Sequence, residues 1–269
     1  MRNAHDTNAQ PNSRRHDVAF RAENLGLSFY DERGRAIRVL RNIDLELTKN
    51  EILAILGPSG CGKTSLLRLI AGLLAPTSGS LVLDPALADN RGILMSMVFQ
   101  KPTLLPWISI EDNVLLPYRL GRITITTGIL ERVDRLLRIV HLQGFREAYP
   151  SDLSGGMQMR TALVRAFATQ PRLILMDEPF SALDETTRFE LCIEMLDLVD
   201  AAQSSVVFVT HSIQEAAFIA NRIVQLSARP GRIVAELRPD FSVPRNLALF
   251  NKPEFLGLCA QLRGPLAHD

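Results

Sequence analysis

The chain has 269 residues, 46% of them hydrophobic, and its 30 Lys and Arg residues nearly balance its 29 Asp and Glu residues. This composition is typical of a folded globular protein and excludes a chain that is disordered throughout. A formal net charge of +1 argues against nucleic acid held by bulk electrostatics, so no nucleic acid is expected among the partners. No apolar run reaches the ~18 residues that a membrane span needs.

The N-terminal part of the chain is predicted to contain a polar, disordered tail over residues 1–17, followed by strands and one buried helix. The tail lacks the apolar stretch of a secretory signal. Leucine and isoleucine spacing predicts a helix at 64–74 with a wide buried face. Alternating or continuous apolar residues between turn residues predict strands at 18–24, 37–47, 51–56, 79–83 and 92–99.

The C-terminal part alternates strands and helices, which indicates crossover units and a parallel sheet. Between residues 110 and 168 the pattern is helical and interrupts that alternation. Strands are predicted at 173–176, 205–209, 223–226 and 232–237, and helices at 155–168, 185–199 and 213–220. The last residues are predicted to be irregular.

These elements predict an α/β fold with an N-terminal antiparallel β subdomain and an inserted helical subdomain, and the phosphate-binding loop described next assigns this fold to the P-loop NTPase (RecA-like) class. One domain is expected over 18–240, with the helical insertion at about 101–168 and a C-terminal extension at 241–269. No internal repeat is present.

The strongest motif is a phosphate-binding loop between the predicted strand at 51–56 and the helix that follows. It fits the pattern G-x-x-x-x-G-K-[ST], in which glycines let backbone N–H groups approach phosphate oxygens at a helix N-terminus. Lys63 is expected to reach the β- and γ-phosphates, and the Thr64 hydroxyl to bind Mg²⁺. The predicted nucleotide-binding residues here are Gly57, Pro58, Ser59, Gly60, Cys61, Gly62, Lys63, Thr64 and Ser65.

Two carboxylates follow the apolar strand at 173–176. Asp177 is predicted to hold Mg²⁺, and Glu178 to orient or deprotonate the attacking water. ATP and Mg²⁺ are therefore the expected cofactors.

A Ser-Gly-Gly turn, made of Ser154, Gly155, Gly156 and Met157, opens the helix at 155–168. With Leu153 before it, this segment resembles the LSGGQ signature of ABC ATPases, and it lies between the P-loop and Asp177 as in that family. The resemblance covers roughly residues 18–240. It implies a homodimer in which each signature closes the nucleotide site of the other subunit.

Other segments resemble further motifs of that family. Gln100 matches the Q-loop glutamine that contacts Mg²⁺ and water, Asp184 matches the D-loop aspartate, and His211 matches the switch histidine that contacts the γ-phosphate. The resemblance also implies an aromatic that stacks on adenine. Phe29 is favoured over Tyr30, although spacing does not decide between them.

Five short segments resemble those of the ATP-binding subunits of one branch of the family, the importers of nitrate, sulfonates and taurine. They are residues 98–107, 113–114, 178–184, 215–218 and 228–233. This resemblance implies a peripheral subunit on the cytoplasmic face of the inner membrane. An integral membrane permease is the expected partner, with its cytoplasmic helix seated in a groove lined by residues 100–107. A periplasmic or extracellular solute-binding protein takes part indirectly.

Alternatives remain open at this point. The solute could be nitrate, a sulfonate, taurine or a pyrimidine-type precursor, and a non-transport ABC ATPase is a further candidate. Three positions depart from the family pattern: Met159 replaces a usual Gln, Ser212 a common Asp and Asn50 a common Gly. None removes a group expected to touch the reacting phosphate, so ATPase activity is expected.

Overall fold

The computed structural model describes residues 18–264, and the predicted tail at 1–17 lies outside this range. A three-stranded antiparallel sheet is formed by β1 (Val18–Tyr30), β2 (Ala36–Thr48) and β4 (Ser78–Leu83), in the order β2-β1-β4. Strand β1 runs six residues beyond its predicted end at residue 24, which takes it to Tyr30.

A six-stranded sheet lies beside it, in the order β5-β6-β7-β3-β8-β9, and only β9 runs antiparallel. Helices cover one face of this sheet, and α1 and the antiparallel sheet cover the other, so the sequences of β3, β6 and β7 are mostly apolar. The strands are β3 (Ile52–Leu56), β5 (Met95–Val98), β6 (Leu173–Asp177), β7 (Ser205–Thr210), β8 (Arg222–Leu226) and β9 (Ile233–Leu237). The predicted α/β class is confirmed.

The helices follow the strands in crossover units. They are α1 (Lys63–Ile70), α2 (Pro85–Asp89), α3 (Arg91–Leu94), α4 (Ile110–Leu120), α5 (Thr127–Ile139), α6 (Gly155–Ala168), α7 (Glu185–Ala202), α8 (Ile213–Ile219) and α9 (Pro253–Arg263). Helices α4, α5 and α6 lie between β5 and β6 in sequence and make up the helical block. Within 18–264, no helix is both long and apolar enough to cross a membrane.

The core divides at the parallel sheet. In β3, Leu53 and Ile55 pack with the antiparallel sheet and α1. The alternate residues Ile52, Ala54 and Leu56 pack with the helices on the other face. Because successive strand side chains point to opposite faces, one apolar strand contributes to both clusters. Burying each such side chain contributes about 1.5–3 kcal/mol.

Three sequence-based element predictions were wrong. The strand predicted at 92–99 is shorter than expected, because Arg91–Leu94 form the helix α3 and only Met95–Val98 pairs with β6. Helix α1 ends at Ile70, before Gly72, which adopts a φ of +73°.

The C-terminal end is partly helical rather than irregular. Phe255 of α9 packs at 4.9 Å from Phe250, which stacks on Phe218 at 5.1 Å. These contacts join α9 to α8, and they are long-range in sequence, so local residue patterns did not reveal them.

Candidate nucleotide-binding and catalytic site

The P-loop connects the carboxyl end of β3 to the start of α1. Gly62 is the N-cap of α1 and has a φ of +108°, which favours glycine. A Cβ at this position would also lie 2.8 Å from Leu40 Cδ2 of the antiparallel sheet. The loop is thus held tightly while the first N–H groups of α1 remain available to an anion.

Backbone carbonyls of the P-loop hold the Lys63 side chain over the loop. Its side chain is 5% exposed, and Nζ donates to the carbonyls of Gly57 at 2.8 Å and Pro58 at 3.0 Å. Nζ also lies 3.6 Å from Glu178 Oε1. This ammonium group is therefore preorganised at the loop, with one carboxylate beside it.

Thr64 and Asp177 meet across 113 positions of sequence. The Thr64 hydroxyl donates to Asp177 Oδ1 at 2.9 Å. Burial raises the pKa of Asp177, and the Thr64 hydrogen bond offsets only part of that effect. A hydroxyl and a carboxylate are the hard oxygen donors that Mg²⁺ prefers, so these two residues fit the predicted metal.

Glu178 occupies an unusual backbone position directly after β6. Its φ is +46°, a region that costs a non-glycine residue on the order of 1 kcal/mol or more. The strain is held in place because Glu178 N donates to Val209 O at 3.0 Å and the Ser181 hydroxyl donates to Glu178 O at 2.9 Å. The carboxylate is thereby directed toward the P-loop lysine on one side.

On its other side, the Glu178 carboxylate meets the predicted switch histidine. His211 Nδ1 lies 2.9 Å from Glu178 Oε2. Lys63 begins α1, Glu178 follows β6 and His211 follows β7, and the fold places these three side chains side by side. The carboxylate thus lies between an ammonium and an imidazole, beside the phosphate loop.

A cavity of about 340 Å³ opens from the P-loop toward β1 and β2. Phe29 lines this cavity and is 44% exposed, whereas Tyr30 is absent from its lining. The other lining residues are Ile37, Val39, Ser59, Gly60, Gly62, Lys63, Thr64, Ser65, Glu178 and Arg229. Of the two candidate aromatics, Phe29 is the one that faces this space.

Sequence reasoning missed Ile37, Val39 and Arg229, which it had not assigned to the site. Arg229 lines the cavity, and Gly231, two residues later, packs against β2 and the P-loop. Gly231 N donates to Val39 O at 2.8 Å, and a Cβ on Gly231 would lie 2.3 Å from Cys61 O. The Arg-Pro-Gly sequence at 229–231 could have indicated this part of the site. It was used only for the resemblance to nitrate, sulfonate and taurine importers.

The signature residues lie apart from this cavity, and none of them lines it. Ser154 is the N-cap of α6, where its hydroxyl accepts from Met157 N at 3.3 Å. A Cβ on Gly156 would meet Thr187 Cγ2 at 2.9 Å, whereas a Cβ on Gly155 would meet nothing within 4 Å. Packing within the described chain therefore explains glycine at 156 but not at 155.

Asp184 is the N-cap of α7. Its Oδ1 accepts from Thr187 N at 3.0 Å, and this backbone hydrogen bond lowers the pKa of the carboxyl. Because Gly156 packs on Thr187, the signature and the loop at Asp184 are neighbours.

Gln100 lies two residues beyond β5, at the edge of the sheet where Asp177 ends β6. Its side chain is exposed. The segment after it is fixed by Arg165 of α6, which donates to Pro102 O at 2.8 Å and Thr103 O at 3.0 Å. Gln100 thus lies at the same edge of the sheet as Asp177.

Met159 is 2% exposed and belongs to the helical core. Its neighbour Gln158 donates to Pro150 O at 2.9 Å and so ties α6 to the preceding turn.

The family model described as ABC transporter matches residues 40–181, just over half of the chain. The chain belongs to the ABC transporter family. This ABC protein is 35% identical to the aliphatic sulfonates import ATP-binding protein of Bacillus cereus, over 81% of its own length and 85% of the relative. It is 40% identical to the taurine import ATP-binding protein of Roseobacter denitrificans, over 86% and 88% of the two chains.

A solved dimeric ATP-binding cassette, in a post-hydrolysis state bound to ADP and Pi, resembles the ABC protein with a TM-score of 0.69 and 29% identity. The match covers 83% of this chain and all of the other. The predicted fold class and the prediction of an ATP-binding, ATP-hydrolysing ABC transporter subunit are confirmed.

Proposed function

We propose that this ABC ATPase powers the import of a small sulfonate-like solute by hydrolysing ATP at the cluster formed by Lys63, Glu178 and His211. The observation that carries the catalytic assignment is the placement of the Glu178 carboxylate, 2.9 Å from His211 Nδ1 and 3.6 Å from Lys63 Nζ. The relatives that import aliphatic sulfonates and taurine support the solute class.

The P-loop binds the triphosphate through backbone N–H groups, and Lys63 turns its ammonium from the loop carbonyls toward the β- and γ-phosphates. Glu178 orients the attacking water and accepts its proton. His211 donates to the γ-phosphate and stabilises the charge that develops on it in the transition state. In this arrangement catalysis is the electrostatic positioning of an in-line transfer to water.

Mg²⁺ would be held by Thr64, Asp177 and Gln100, the first two of which already share a hydrogen bond of 2.9 Å. When bound, the ion neutralises charge on the β- and γ-phosphates. Burial raises the pKa of Asp177. A cation bound beside it would act in the opposite direction and favour the charged carboxylate.

We propose that the working form is a homodimer, with each signature closing the partner's nucleotide site. Two features of the chain support this arrangement. The signature does not line its own P-loop cavity, and Gly155 has open space where a side chain would be. A backbone without side chains at a helix N-terminus can approach a phosphate closely. Ser154 and Met157 would line the same contact.

A permease is proposed to dock beside the Q-loop. A groove of about 420 Å³ lies between β5, α4 and α6, with Leu116, Pro117, Leu120 and Arg165 among its lining residues. Residues 100–107 do not line this groove. Arg165 does line it, and its guanidinium donates hydrogen bonds to the carbonyls of Pro102 and Thr103. A docked helix would thus press on the residue that holds the segment after Gln100.

Leu120, which lines this groove, is 76% exposed, and Trp107 in the segment after Gln100 is 71% exposed, so both offer apolar surface to a partner. Docking there would hold the chain at the cytoplasmic face of the membrane. A solute-binding protein outside the cell would act through the permease.

The solute assignment is tested by growth of a deletion strain on single sulfur and nitrogen sources. We expect loss of growth on taurine or alkanesulfonates as sole sulfur source, with normal growth on sulfate. Normal growth on every sulfonate, combined with loss on nitrate or a pyrimidine-type precursor, would overturn the sulfonate assignment in favour of that solute.

A further inference from the structure

His211 has little to fix its position except its neighbours in sequence. Its side chain is 54% exposed and contacts Glu178 at 2.9 Å. The residues on both sides of it, Thr210 and Ser212, make hydrogen bonds to one buried carboxylate residue, Glu215 of α8. The Thr210 hydroxyl donates to Glu215 Oε2, and Glu215 N donates to Ser212 Oγ at 3.3 Å.

Glu215 is in turn paired with an arginine from α7. Glu215 is 2% exposed, and Arg188 Nε lies 3.4 Å from its Oε1. Arg188 Nη2 donates to Leu183 O at 2.7 Å, in the loop that leads into Asp184. A continuous path therefore runs from the Asp184 loop through Arg188, Glu215 and Thr210 to His211.

The pairing of Arg188 with Glu215 is loose. In the part of the chain that the structure describes, the buried Arg188 Nε has no hydrogen-bond partner. Burial raises the pKa of Glu215, and its contacts with Thr210 and Arg188 offset only part of that effect. A buried ion pair without full hydrogen bonding is sensitive to small displacements, because low polarity strengthens every change in distance.

A similar set of groups at the opposite edge of the sheet shows what a tight arrangement looks like. There the Thr48 hydroxyl donates to Glu51 at 2.7 Å, and Arg222 Nε donates to Glu51 at 2.7 Å. Burial of Glu51 acts to raise its pKa, but these bonds outweigh it and the pKa is lowered. Each set therefore consists of a threonine, a buried glutamate and an arginine. They differ in the distance from the arginine Nε to the carboxylate, which is 2.7 Å for Arg222 and 3.4 Å for Arg188.

We propose that Thr210, Glu215 and Arg188 form a positioning triad that ties the loop at Leu183 and Asp184 to His211, and so sets how His211 meets Glu178. The inference rests on the proposed catalytic role of His211. Movement of the Asp184 loop displaces Arg188, Arg188 displaces Glu215, and Glu215 shifts both residues that flank the imidazole. None of the three residues lines the P-loop cavity, so the triad acts on the geometry of His211.

The test is steady-state ATPase kinetics of purified full-length variants, with the folded fraction measured by circular dichroism. Thr210→Val removes the hydroxyl at nearly constant volume, and we expect kcat to fall about tenfold with little change in the KM for ATP. Thr210→Ser keeps the hydroxyl and is expected to restore kcat. Arg188→Lys is expected to lower kcat also, because an ammonium cannot bond Leu183 O and Glu215 with a planar fork.

Two controls separate the possible failures. Thr48→Val breaks the matching hydroxyl–carboxylate bond far from the site and is expected to leave kcat unchanged. His211→Ala tests the proposed function directly and is expected to lower kcat more than Thr210→Val. If His211→Ala lowers kcat while Thr210→Val and Arg188→Lys do not, the triad is overturned and the proposed function stands. If His211→Ala leaves kcat unchanged, the proposed role of His211 is itself wrong.

Discussion

Replacing Glu178 by Gln is the most direct test of the catalytic cluster. Glutamine has nearly the same shape as glutamate, so it can keep a hydrogen bond to His211 at the position of Oε2, now 2.9 Å from Nδ1. It removes the negative charge that could accept a proton from water. A general base contributes about 10²- to 10⁴-fold to a rate, and we expect kcat to fall within that range.

Nucleotide binding should survive this change. At 3.6 Å, the Lys63–Glu178 attraction is on the order of 4–5 kcal/mol at an effective dielectric constant of about 20, before discounting for the partly exposed carboxylate. The incoming phosphates compete with this carboxylate for Lys63 and are repelled by it. Neutralising Glu178 is therefore expected to leave ATP affinity unchanged or raise it, and to let an ATP-bound dimer accumulate.

The assays are phosphate release for turnover and light scattering in the presence of ATP for the dimer. Glu131→Gln changes an exposed carboxylate on α5 and serves as the control for the loss of one charge. Turnover of Glu178→Gln within about tenfold of the unsubstituted protein would refute the assignment of Glu178 as general base.

Three further predictions follow from other contacts. Lys63→Ala should abolish ATP binding in a fluorescence titration with a nucleotide analogue, and unchanged affinity would contradict the P-loop role. Gly231→Ala places a Cβ 2.3 Å from Cys61 O, so it should displace the P-loop, raise the KM for ATP and lower stability by about 1–3 kcal/mol in urea unfolding. An unchanged KM would show that the loop does not depend on Gly231. Glu51→Gln removes the buried carboxylate that pairs with Arg222 Nε at 2.7 Å and should cost about 3–5 kcal/mol at neutral pH. The folded pKa of Glu51 lies below its usual 4.5, so its contribution is present above that pH and is lost as the pH falls through the lower folded pKa. The difference between the two proteins should therefore narrow in acid, and a constant difference would contradict the ion-pair explanation.

The sequence by itself determined the features that depend on neighbouring residues. The P-loop, the apolar strands on either side of it and the Ser-Gly-Gly turn at 154–156 are contiguous, and their backbone conformations follow from glycine, helix capping and burial on both faces. The parallel sheet followed as well, because strands that alternate with helices must be joined by crossovers. The fold class and the family needed no more than this.

Only the tertiary structure decided which side chains meet. Thr64 and Asp177 lie 113 positions apart, and His211 lies 33 positions from Glu178, so no local spacing fixes their distances. Whether Phe29 or Tyr30 faces the cavity depends on which face of β1 lies toward the P-loop. Arg229 lines the same cavity although it lies far from the P-loop in sequence. Helix α9 was not predicted from the sequence for the same reason. Its Phe255 packs through Phe250 on Phe218 of α8, and these aromatic contacts form only in the folded protein. Local residue patterns specify backbone conformation, whereas the site and its triad arise from side chains that only the folded sheet brings to one edge.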